Sequence, residues 1–566
     1  MLTNTKKCGI TLYVQIYWRE PVGILYRYGR KKIFTDILPT GNVSQDIRII
    51  PQILSNAIPV HNENVAAMDR LVDYFYNHTD IDQKEKVSRP EVNNKVSIPR
   101  ANTTVTTINS YCFSNPFKFI SLQAEKEITE ELKEFNDCCE LDNYSAKLIE
   151  TTQWSGITGI GYKFVNKPNQ KDLQEGKFFK TTGDIDPRTA FCVYANNIDK
   201  EKVLGVIFYQ KTAVENGQNV TYFEYNVFTK WHQWLFRTAN TTNFSSFTNL
   251  GFNLYIGGEL RYIDAYPLNP LLGNQPANET NASTIPLIEY LRKPDKTNDF
   301  EKSMLLMDAI SVVLSSATDA VAQNADYVFK FKNVDVGEWD ENGKNPVLET
   351  IKQALLNHIL PINGIEGAQN QPDAEIMEIP LNQSEVRSLL DYLTEQLEES
   401  LFVPNRNTSS GGADTNSSVE TRNGFRSLED IAGIITSQAI KSEKEFIQCA
   451  LEIGKQYENC PFKDLRAKHI GIKPMRNKIE SLINSTQAFA TMINSGVNRI
   501  TAYVVSGLVA DATDTAAMDK LERDENFQET VRQEVERQRA MNEVNQQNQQ
   551  NTSVEEIDVE ESGNNQ

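Results

Sequence analysis

The sequence NDFEKSMLLMDAISVVLSSATDAVAQN, from Asn298 to Asn324, predicts a long helix. Asn298 and Asp299 come first, where a short polar side chain can accept a hydrogen bond from the free backbone amides of the first turn. Apolar residues then recur at spacings of three and four, which places them on one helix face. They are Phe300, Met304, Met307, Ile310, Leu314, Ala317 and Val321. A helix of about 25 residues spans roughly 38 Å.

A small mixed segment and a second helix follow. Residues 327–332 and 374–379 alternate apolar and charged side chains, as half-buried strands do, and residues 346–360 are predicted as a short helix. Asn382 and Glu385 match a capping box that opens a helix ending before Pro404. The apolar stripe of this helix is Val386, Leu390, Leu393, Leu397 and Leu401.

A polar loop at residues 405–416 separates this helix from the longest one. Ser417 and Glu420 form another capping box, and the helical pattern continues to about residue 457, or roughly 55 Å. A loop this long is either a plain connector or functional, and composition does not decide between the two. Helices this long around so small an insert cannot bury their apolar faces in one copy. The pattern therefore predicts walls packed side by side in a ring.

Composition limits the function classes. The net charge of -19 argues against a surface that grips nucleic acid by neutralising phosphates. No run of 18 apolar residues occurs, because Asp308 and Asp319 interrupt the best candidate, so no membrane span is expected. Arg19 and Glu20 stand where a signal peptide would need small cleavage-site residues. At 566 residues the chain is long enough for several domains.

No constellation of catalytic or metal-binding residues is found in the sequence. The segment from Gly337 to Asn345 has five residues between its glycines and Asn after Lys344, so it does not match a phosphate-binding loop. The five histidines lack metal-ligand spacing. The seven cysteines include no CxxC pair and are expected to be reduced thiols. We predict no catalytic residue, no metal and no cofactor.

The flanking regions predict an α+β protein. Residues 63–77 and 124–155 have helical patterns, residues 103–119 look β-rich, and residues 159–265 alternate strands and turns as an antiparallel sheet does. Residues 477–519 predict short helices. No Lys or Arg occurs beyond Arg539, so the end of the chain is expected to be an acidic, disordered tail.

The order of these elements, together with several short motifs, resembles bacteriophage portal proteins of the SPP1-like, gp6-type family over about residues 29–527. The motifs are Gly29-Arg-Lys-Lys-Ile33, Asp73-Tyr-Phe-Tyr-Asn-His78, Asn93-Asn-Lys95, Asn115-Pro-Phe117, Asp186-Pro-Arg188 with Ala190-Phe-Cys-Val-Tyr194, and Asp299-Phe-Glu301. His78 and Thr79 depart from the usual small residues. Residues 1–28 have no recognised counterpart.

The resemblance implies the α+β portal fold, with long stem and wing helices, a β-containing wing and clip, and a helical crown. The implied parts, after an N-terminal extension at 1–28, are the wing at 29–297, the first stem helix at 298–324, the clip at 325–381, the second stem helix at 382–402, the tunnel loop at 403–416, the long wing helix with the wing closure at 417–475, the crown at 476–527 and the acidic tail at 528–566.

The resemblance also implies function and partners. It implies a non-enzymatic ring, expected to be a dodecamer, at a unique capsid vertex of the virion. The ring would pass double-stranded DNA during packaging and ejection. It would be made in the host bacterial cytoplasm and would dock the terminase large subunit, the major capsid and scaffold proteins and the head-completion or tail adaptor proteins, with no membrane partner.

Two sets of site residues follow from the resemblance. The tunnel-loop residues expected at the DNA channel are Asn405, Arg406, Asn407, Thr408, Ser409 and Ser410. The clip residues expected to face partners are Lys330, Lys332, Glu338 and Asp340, for which a solvated surface is an equal alternative. The alternatives to a portal are a scaffold-like structural oligomer built on long helices, and an enzyme with an unrecognised site.

Overall fold

The computed structural model describes most of the first 500 residues. The described residues are 28–86, 90–122, 126–215, 218–238, 261–268, 284–324, 328–332, 345, 349, 373–377, 383–404, 425–476, 482–498, 502–503, 532–533 and 536–537. The chain divides into two compact units, Met1–Asn477 and Lys478–Gln566.

Helices and strands are mixed along the described residues, so the fold is α+β, as predicted. The helices are α1 (Val43–Phe75), α2 (Arg100–Phe113), α3 (Lys126–Leu141), α4 (Tyr144–Thr158), α5 (Gln170–Gln174), α6 (Met304–Asn324), α7 (Gln383–Ser400), α8 (Phe425–Gly454) and α9 (Leu482–Asn494). The strands are β1 (Ile33–Thr35), β2 (Lys118–Ser121), β3 (Ile160–Asn166), β4 (Lys180–Ile185), β5 (Ala190–Ala195), β6 (Lys202–Glu215), β7 (Gln218–Phe228), β8 (His232–Arg237), β9 (Arg261–Pro267), β10 (Leu287–Leu291), β11 (Val328–Lys332), β12 (Asp373–Met377) and β13 (Ile470–Lys473).

A six-stranded sheet in the order β1-β5-β6-β7-β8-β9 is the largest sheet among the described residues. β1 pairs with β5 in parallel, and the other neighbours are antiparallel. The remaining sheets are β10-β3-β4, β11-β12 and β13-β2. The predicted antiparallel sheet at residues 159–265 is therefore present, although its strands contribute to two sheets.

Helix α1 begins 20 residues before the helix predicted at residues 63–77. The first half was not predicted as helix because it contains Pro51 and Pro59. A proline inside a helix removes one hydrogen bond and costs about 3 kcal/mol. A long buried stripe, which includes Ile50, Leu54 and Ile58, compensates by packing on the six-stranded sheet. The Asn42 side chain caps the helix by accepting from the Ser44 amide (3.0 Å).

The β-rich interpretation of residues 103–119 is wrong for most of that segment. Residues Arg100–Phe113 form α2, and only Lys118–Ser121 form a strand. Threonines and Val105 favoured a strand by propensity. However, Ala101, Val105, Ile108 and Cys112 recur at helical spacing and are buried, so tertiary packing decides the structure.

Helix α8 runs through the centre of the first unit and packs on β10 and β3. Phe446 of α8 lies among aromatic rings, stacked on Tyr144 with ring centroids 5.7 Å apart. The predicted start of this helix at Ser417 lies outside the described residues, as does most of the short helix predicted at 346–360. Helix α9 belongs to the second unit, in which the Phe489 and Tyr503 rings stack at 4.5 Å.

Candidate functional site

Helices α6 and α7 pack side by side and bury a shared apolar face. Met304, Met307 and Ile310 of α6 belong to the same buried cluster as Leu397 and Leu401, at the end of α7 and just beyond it. The Ser303 and Ser400 hydroxyl oxygens are 2.9 Å apart at one end of the pair. The two stripes predicted from the sequence therefore meet each other on one side.

Several apolar side chains of this helix pair are exposed to solvent in a single copy of the chain. Leu305 and Val321 of α6 are 67% and 52% exposed, and Leu389 and Tyr392 of α7 are 47% and 59% exposed. Leu389 and Tyr392 are three residues apart and share one face of α7, which is suited to packing against another helix, whereas Val321 belongs to the α6 stripe that faces α7.

The N-terminal end of α6 is fixed by a buried ion pair. The Arg292 guanidinium donates from Nε to Asp299 Oδ1 (2.9 Å) and from Nη2 to Asp299 Oδ2 (2.6 Å), and both side chains are fully buried. Nη1 of Arg292 also donates to Asn109 Oδ1 on α2 (3.2 Å). This two-pronged geometry fixes the direction in which the chain enters α6.

A second contact at the same end brings together two motifs that are far apart in the sequence. Glu301 forms a buried ion pair with Arg30 and accepts a hydrogen bond from the Gly29 amide (3.1 Å). Gly29 has a φ of 83°, and a Cβ there would lie 2.2 Å from the Asp295 carbonyl oxygen, so only glycine fits. Asn298 caps the turn by accepting from the Glu301 amide (2.6 Å).

The middle of α6 is tied to α1 through an aspartate. The Tyr74 hydroxyl donates to the Asp308 carboxylate, with distances of 2.8 and 2.9 Å to its two oxygens. Burial raises the pKa of Asp308 to about 6, although the hydrogen bond from Tyr74 acts in the opposite direction.

The C-terminal part of α6 is held by the segment that follows α1. Asp319 accepts from Lys84 Nζ (2.8 Å) and from the backbone and side-chain nitrogens of Asn94 (2.7 and 2.9 Å). Burial would raise the pKa of Asp319, but the hydrogen bonds from Lys84 and Asn94 lower it to about 2. The Ser315 hydroxyl accepts from the Val96 amide (2.9 Å) one turn earlier.

These contacts form a row of polar anchors along one edge of α6. These anchors involve four of the motifs on which the family resemblance rests, namely Gly29–Ile33, Asp73–His78, Asn93–Lys95 and Asp299–Glu301. The Asp186–Arg188 motif has a related role elsewhere, because Arg188 binds Asp186 (2.6 Å) and Asp69 of α1 (3.0 Å). The motif residues thus fix α6 and α1 within the domain.

The sequence prediction did not find all of these anchors. From the sequence, Asp308 and Asp319 were interpreted only as interruptions of an apolar run, and no role was predicted for Arg292. A carboxylate on the buried face of an apolar helix was an available signal, because such a group needs a partner. The partners of Asp308 and Asp319 lie more than 200 residues away in the sequence and could not be assigned.

The predicted channel and clip residues are only partly described. Asn405, Arg406, Asn407, Thr408, Ser409 and Ser410 lie outside the described residues, as do Glu338 and Asp340. Lys330 and Lys332 lie on β11, directly opposite Glu375 and Asp373 of β12 in the antiparallel register. Two-stranded pairing of the segments predicted at 327–332 and 374–379 is therefore present.

One helix in the described ranges, Glu301–Ala322, is long and apolar enough to cross a membrane by length and composition. This finding differs from the sequence expectation of no such span, because the two aspartates, Asp308 and Asp319, do not make the helix too polar overall. Both aspartates are buried and bound by Tyr74 and Lys84, as in the core helix of a folded domain. Within the described part of the chain, no group of three or more His, Cys, Asp or Glu residues could hold a metal ion.

The six cysteines in the described residues are free and buried, as expected for reduced thiols. A cavity of about 200 Å³ lies between β3, β7 and α8, lined mainly by apolar side chains such as Phe164, Phe228 and Ile453. No ionisable constellation typical of catalysis lines this cavity among the described residues.

Comparison with known proteins assigns the family. The model of the family described as phage portal protein, SPP1 Gp6-like, matches residues 54–499 of the 566. The chain belongs to this family of phage portal proteins, a structural family whose members are components of the virion. No curated protein matches the chain. A solved structure described as the neck of an empty GTA particle, computed with C6 symmetry, matches with 11% identity and a TM-score of 0.36, over 75% of this chain and 93% of that chain.

Proposed function

We propose that this portal protein forms a closed ring at one capsid vertex, through which double-stranded DNA is packaged and ejected. The observation that carries the proposal is the α6–α7 pair, which is anchored along one edge of α6 and leaves Leu305, Leu389 and Tyr392 exposed. Identical subunits around a rotation axis would cover this surface by placing α6 of one copy beside α7 of the next. We expect twelve subunits in the virion.

The parts of the proposed ring follow the chain order. Residues 29–297 and 417–475 form the wing, residues 298–324 and 382–402 the stem, residues 325–381 the clip and residues 476–527 the crown. The polar anchors of α6 support the stem assignment, since a helix that lines a channel must keep its position relative to the wing while DNA moves.

The proposed channel binds DNA weakly. A net charge of -19 disfavours adhesion to phosphates, so duplex DNA can slide past the wall. The tunnel loop, residues 403–416, supplies the light contacts, with Arg406 and the amides of Asn405 and Asn407 touching phosphates. The energy for transport comes from the ATPase of the terminase large subunit, which docks at the clip near Lys330, Lys332, Glu338 and Asp340.

The remaining partners complete the vertex. The wing contacts the major capsid protein and the scaffold protein, and after packaging the clip binds head-completion or tail adaptor proteins. The protein is synthesised in the cytoplasm of the host bacterium and then becomes part of the virion.

Electron microscopy with mass photometry tests the ring. We expect closed rings whose central hole admits duplex DNA, whereas a filament or a compact dimer would contradict the proposal. In a matched pair of variants, Leu305→Asp with Leu389→Asp should convert rings to smaller species, because charges would be buried between subunits. Val214→Asp changes an equally exposed apolar residue on β6 and should leave the rings unchanged.

A further inference from the structure

Lys32, Lys200 and Lys441 come from distant parts of the sequence and lie near the strand pair β1–β5, where Lys32 contacts the ring of Tyr194. The Lys32 Nζ lies 3.7 Å from the centroid of this ring. Lys200 lies in the turn between β5 and β6, two residues before Lys202, which is opposite Tyr194 in the sheet register. Lys441 of α8 completes the group.

The position of Lys441 is fixed by its neighbour in α8. The Ser442 hydroxyl donates to the Glu289 carbonyl oxygen (2.7 Å), and the Glu289 carboxylate accepts from the Tyr194 hydroxyl (2.6 Å). Burial lowers the pKa of Lys32; Glu289 opposes this effect, while Lys296, Lys441 and Lys200 lower the pKa further. Lys200 and Lys441 therefore add positive charge to the surroundings of Lys32.

The three lysines lack carboxylate partners in the described part of the chain. Two neighbouring lysines, in contrast, form ion pairs: Lys202 binds Glu445 (2.7 Å) and Lys296 binds Glu289 (3.0 Å). In a chain with net charge -19, a group of three lysines that form no ion pair with a described residue is a local exception. Such a cluster is suited to an anionic partner outside the subunit.

Apolar side chains next to the lysines favour a protein as that partner. Ile198 is 98% exposed at the tip of the turn that carries Lys200, and Phe34 on the edge strand β1 is 39% exposed. The turn is held in place, because the Lys200 amide donates to Asn197 Oδ1 (2.7 Å) and Asn196 binds Asp36 (2.9 Å). A DNA backbone would not bury these side chains, whereas the interior of a protein interface would.

The outer face of α3 has the complementary chemistry. Glu134, Asp137 and Glu140 are exposed and make no ion pair with other described residues, and Leu141 beside them is 46% exposed. The last turn of α3 contains no basic residue. Carboxylates near a helix C-terminus are unfavourable because the helix dipole is negative there, and cations from a partner would relieve the cost.

We infer that the patch formed by Lys32, Lys200, Lys441, Phe34 and Ile198 binds the outer face of α3 on a second copy of this chain. The contact joins two different surfaces of identical subunits, which is the kind of contact that closes a ring. This inference rests on the proposed ring, and it adds a second subunit interface, in the wing, to the one proposed for the stem.

Charge reversal in the full-length chain tests the interface. Lys32→Glu, Lys200→Glu and Lys441→Glu together should reduce the ring fraction about tenfold at low salt, because carboxylates would then face carboxylates. The control variant Lys171→Glu, Lys455→Glu and Lys468→Glu changes the net charge equally at exposed lysines elsewhere and should assemble normally. Circular dichroism and the melting temperature check that both variants fold.

A compensating variant tests whether the lysine patch binds the outer face of α3. Adding Glu134→Lys, Asp137→Lys and Glu140→Lys to the lysine-reversed chain should restore rings, whereas these three changes alone should reduce them. Normal assembly of the lysine-reversed chain, or no recovery in the combined variant, would overturn the inference. An assembled lysine-reversed ring that fails only in DNA retention would overturn it in favour of DNA. Failure of the unmodified chain to form rings would instead count against the proposed function.

A cross-link gives a second readout. Ile198→Cys and Leu141→Cys in one chain should form disulfides between subunits upon oxidation, giving a ladder of multimers on a non-reducing gel. The six native cysteines in the described residues are buried, so they should contribute little background. A gel with no multimers from assembled rings would contradict the contact.

Discussion

His61, on α1, is buried among aromatic rings. This burial should make the stability of the folded protein sensitive to acid. Its Nε2 is 2.9 Å from the Arg188 carbonyl oxygen, and its ring lies 4.5 Å from that of Phe191. Burial lowers its pKa from 6.5 to about 4, so the folded state binds a proton less readily than the unfolded state. Stability should therefore fall as the pH drops from 6.5 to 4, by about 3 kcal/mol at most.

The variant His61→Gln tests this effect. Glutamine can still donate to the Arg188 carbonyl but does not titrate, so the loss of stability between pH 6.5 and 4 should be smaller. Urea unfolding at a series of pH values measures it. His78→Gln, which changes an exposed histidine, is the control and should leave the profile unchanged. Equal pH profiles for His61→Gln and the unmodified chain would refute the prediction.

Asp308 should change the stability in the opposite direction over nearly the same pH range. Its pKa is raised to about 6 in the folded state, so the folded state binds a proton more readily than the unfolded state. Stability from this group should be fully present below pH 3.8 and lost as the pH rises through 6. Asp308→Asn should remove this dependence and raise stability at pH 7.5 by about 1 kcal/mol after allowance for solvent screening. Urea unfolding at pH 5 and 7.5, with exposed Asp199→Asn as the control, measures the difference.

At the residue scale, the sequence indicated some anchors and missed others. Asn298 and Asp299 were expected at the start of α6 as capping residues. Asn298 does cap the turn, whereas Asp299 binds Arg292. A cap depends on neighbours in the sequence, which a local pattern can reveal. Arg292, the partner of Asp299, is only seven residues away, whereas the partners of Asp308 and Asp319 are reached only through the tertiary fold.

The connection between β3 and α8 depends on a buried ion pair. Lys163 Nζ is 3.0 Å from Glu443 Oε1, both side chains are fully buried, and the Tyr290 hydroxyl also donates to Glu443 (2.6 Å). Lys163→Met should reduce the free energy of unfolding by about 3–5 kcal/mol, because Glu443 would remain as an uncompensated buried charge.

The second substitution shows whether the charge is the cause. Lys163→Met combined with Glu443→Leu should recover most of the lost stability, because no buried charge remains. Lys302→Met, which breaks the exposed pair with Asp295, should cost less than about 1 kcal/mol. Thermal and urea unfolding of the four proteins measure these effects. A double variant as unstable as Lys163→Met would assign the effect to lost packing.

At the element scale, apolar periodicity predicted several helices closely. Helices α3, α4, α6 and α7 lie close to the predicted segments. It failed for the first half of α1 and for α2, where prolines and β-branched residues oppose the helix locally. In both cases burial of an apolar stripe outweighs local propensity, and that burial depends on elements distant in the sequence.

For the whole molecule, the tunnel loop should matter for DNA and not for folding. Deleting residues 409–415 should leave ring assembly and the melting temperature unchanged, because the deleted residues are polar and contribute little to a core. DNA packaging or retention in particles should fall. Replacing the same residues with a Gly-Ser sequence of equal length separates the role of loop length from that of side chains. Loss of rings in the deletion variant would refute the tunnel-loop assignment.

The portal family and the α+β class could be predicted from the sequence because helix lengths and motif order survive without tertiary information. The candidate interfaces could not be predicted. The lysine patch joins residues 32, 200 and 441, and no local pattern connects positions so far apart. Sequence periodicity also marks which faces are apolar, but not which of them another element of the same chain will cover.

The pairing of β2 with β13 has a consequence for biosynthesis. Ile470 lies opposite Ser121, so β2 cannot pair until the ribosome has added roughly 350 more residues to the chain. At about 5–20 residues per second, this interval lasts on the order of 20–70 s. Phe119 of β2, which packs against Phe446 of α8 in the folded chain, stays uncovered by α8 during most of that time. The order of synthesis therefore delays completion of this two-stranded sheet until translation has passed residue 473.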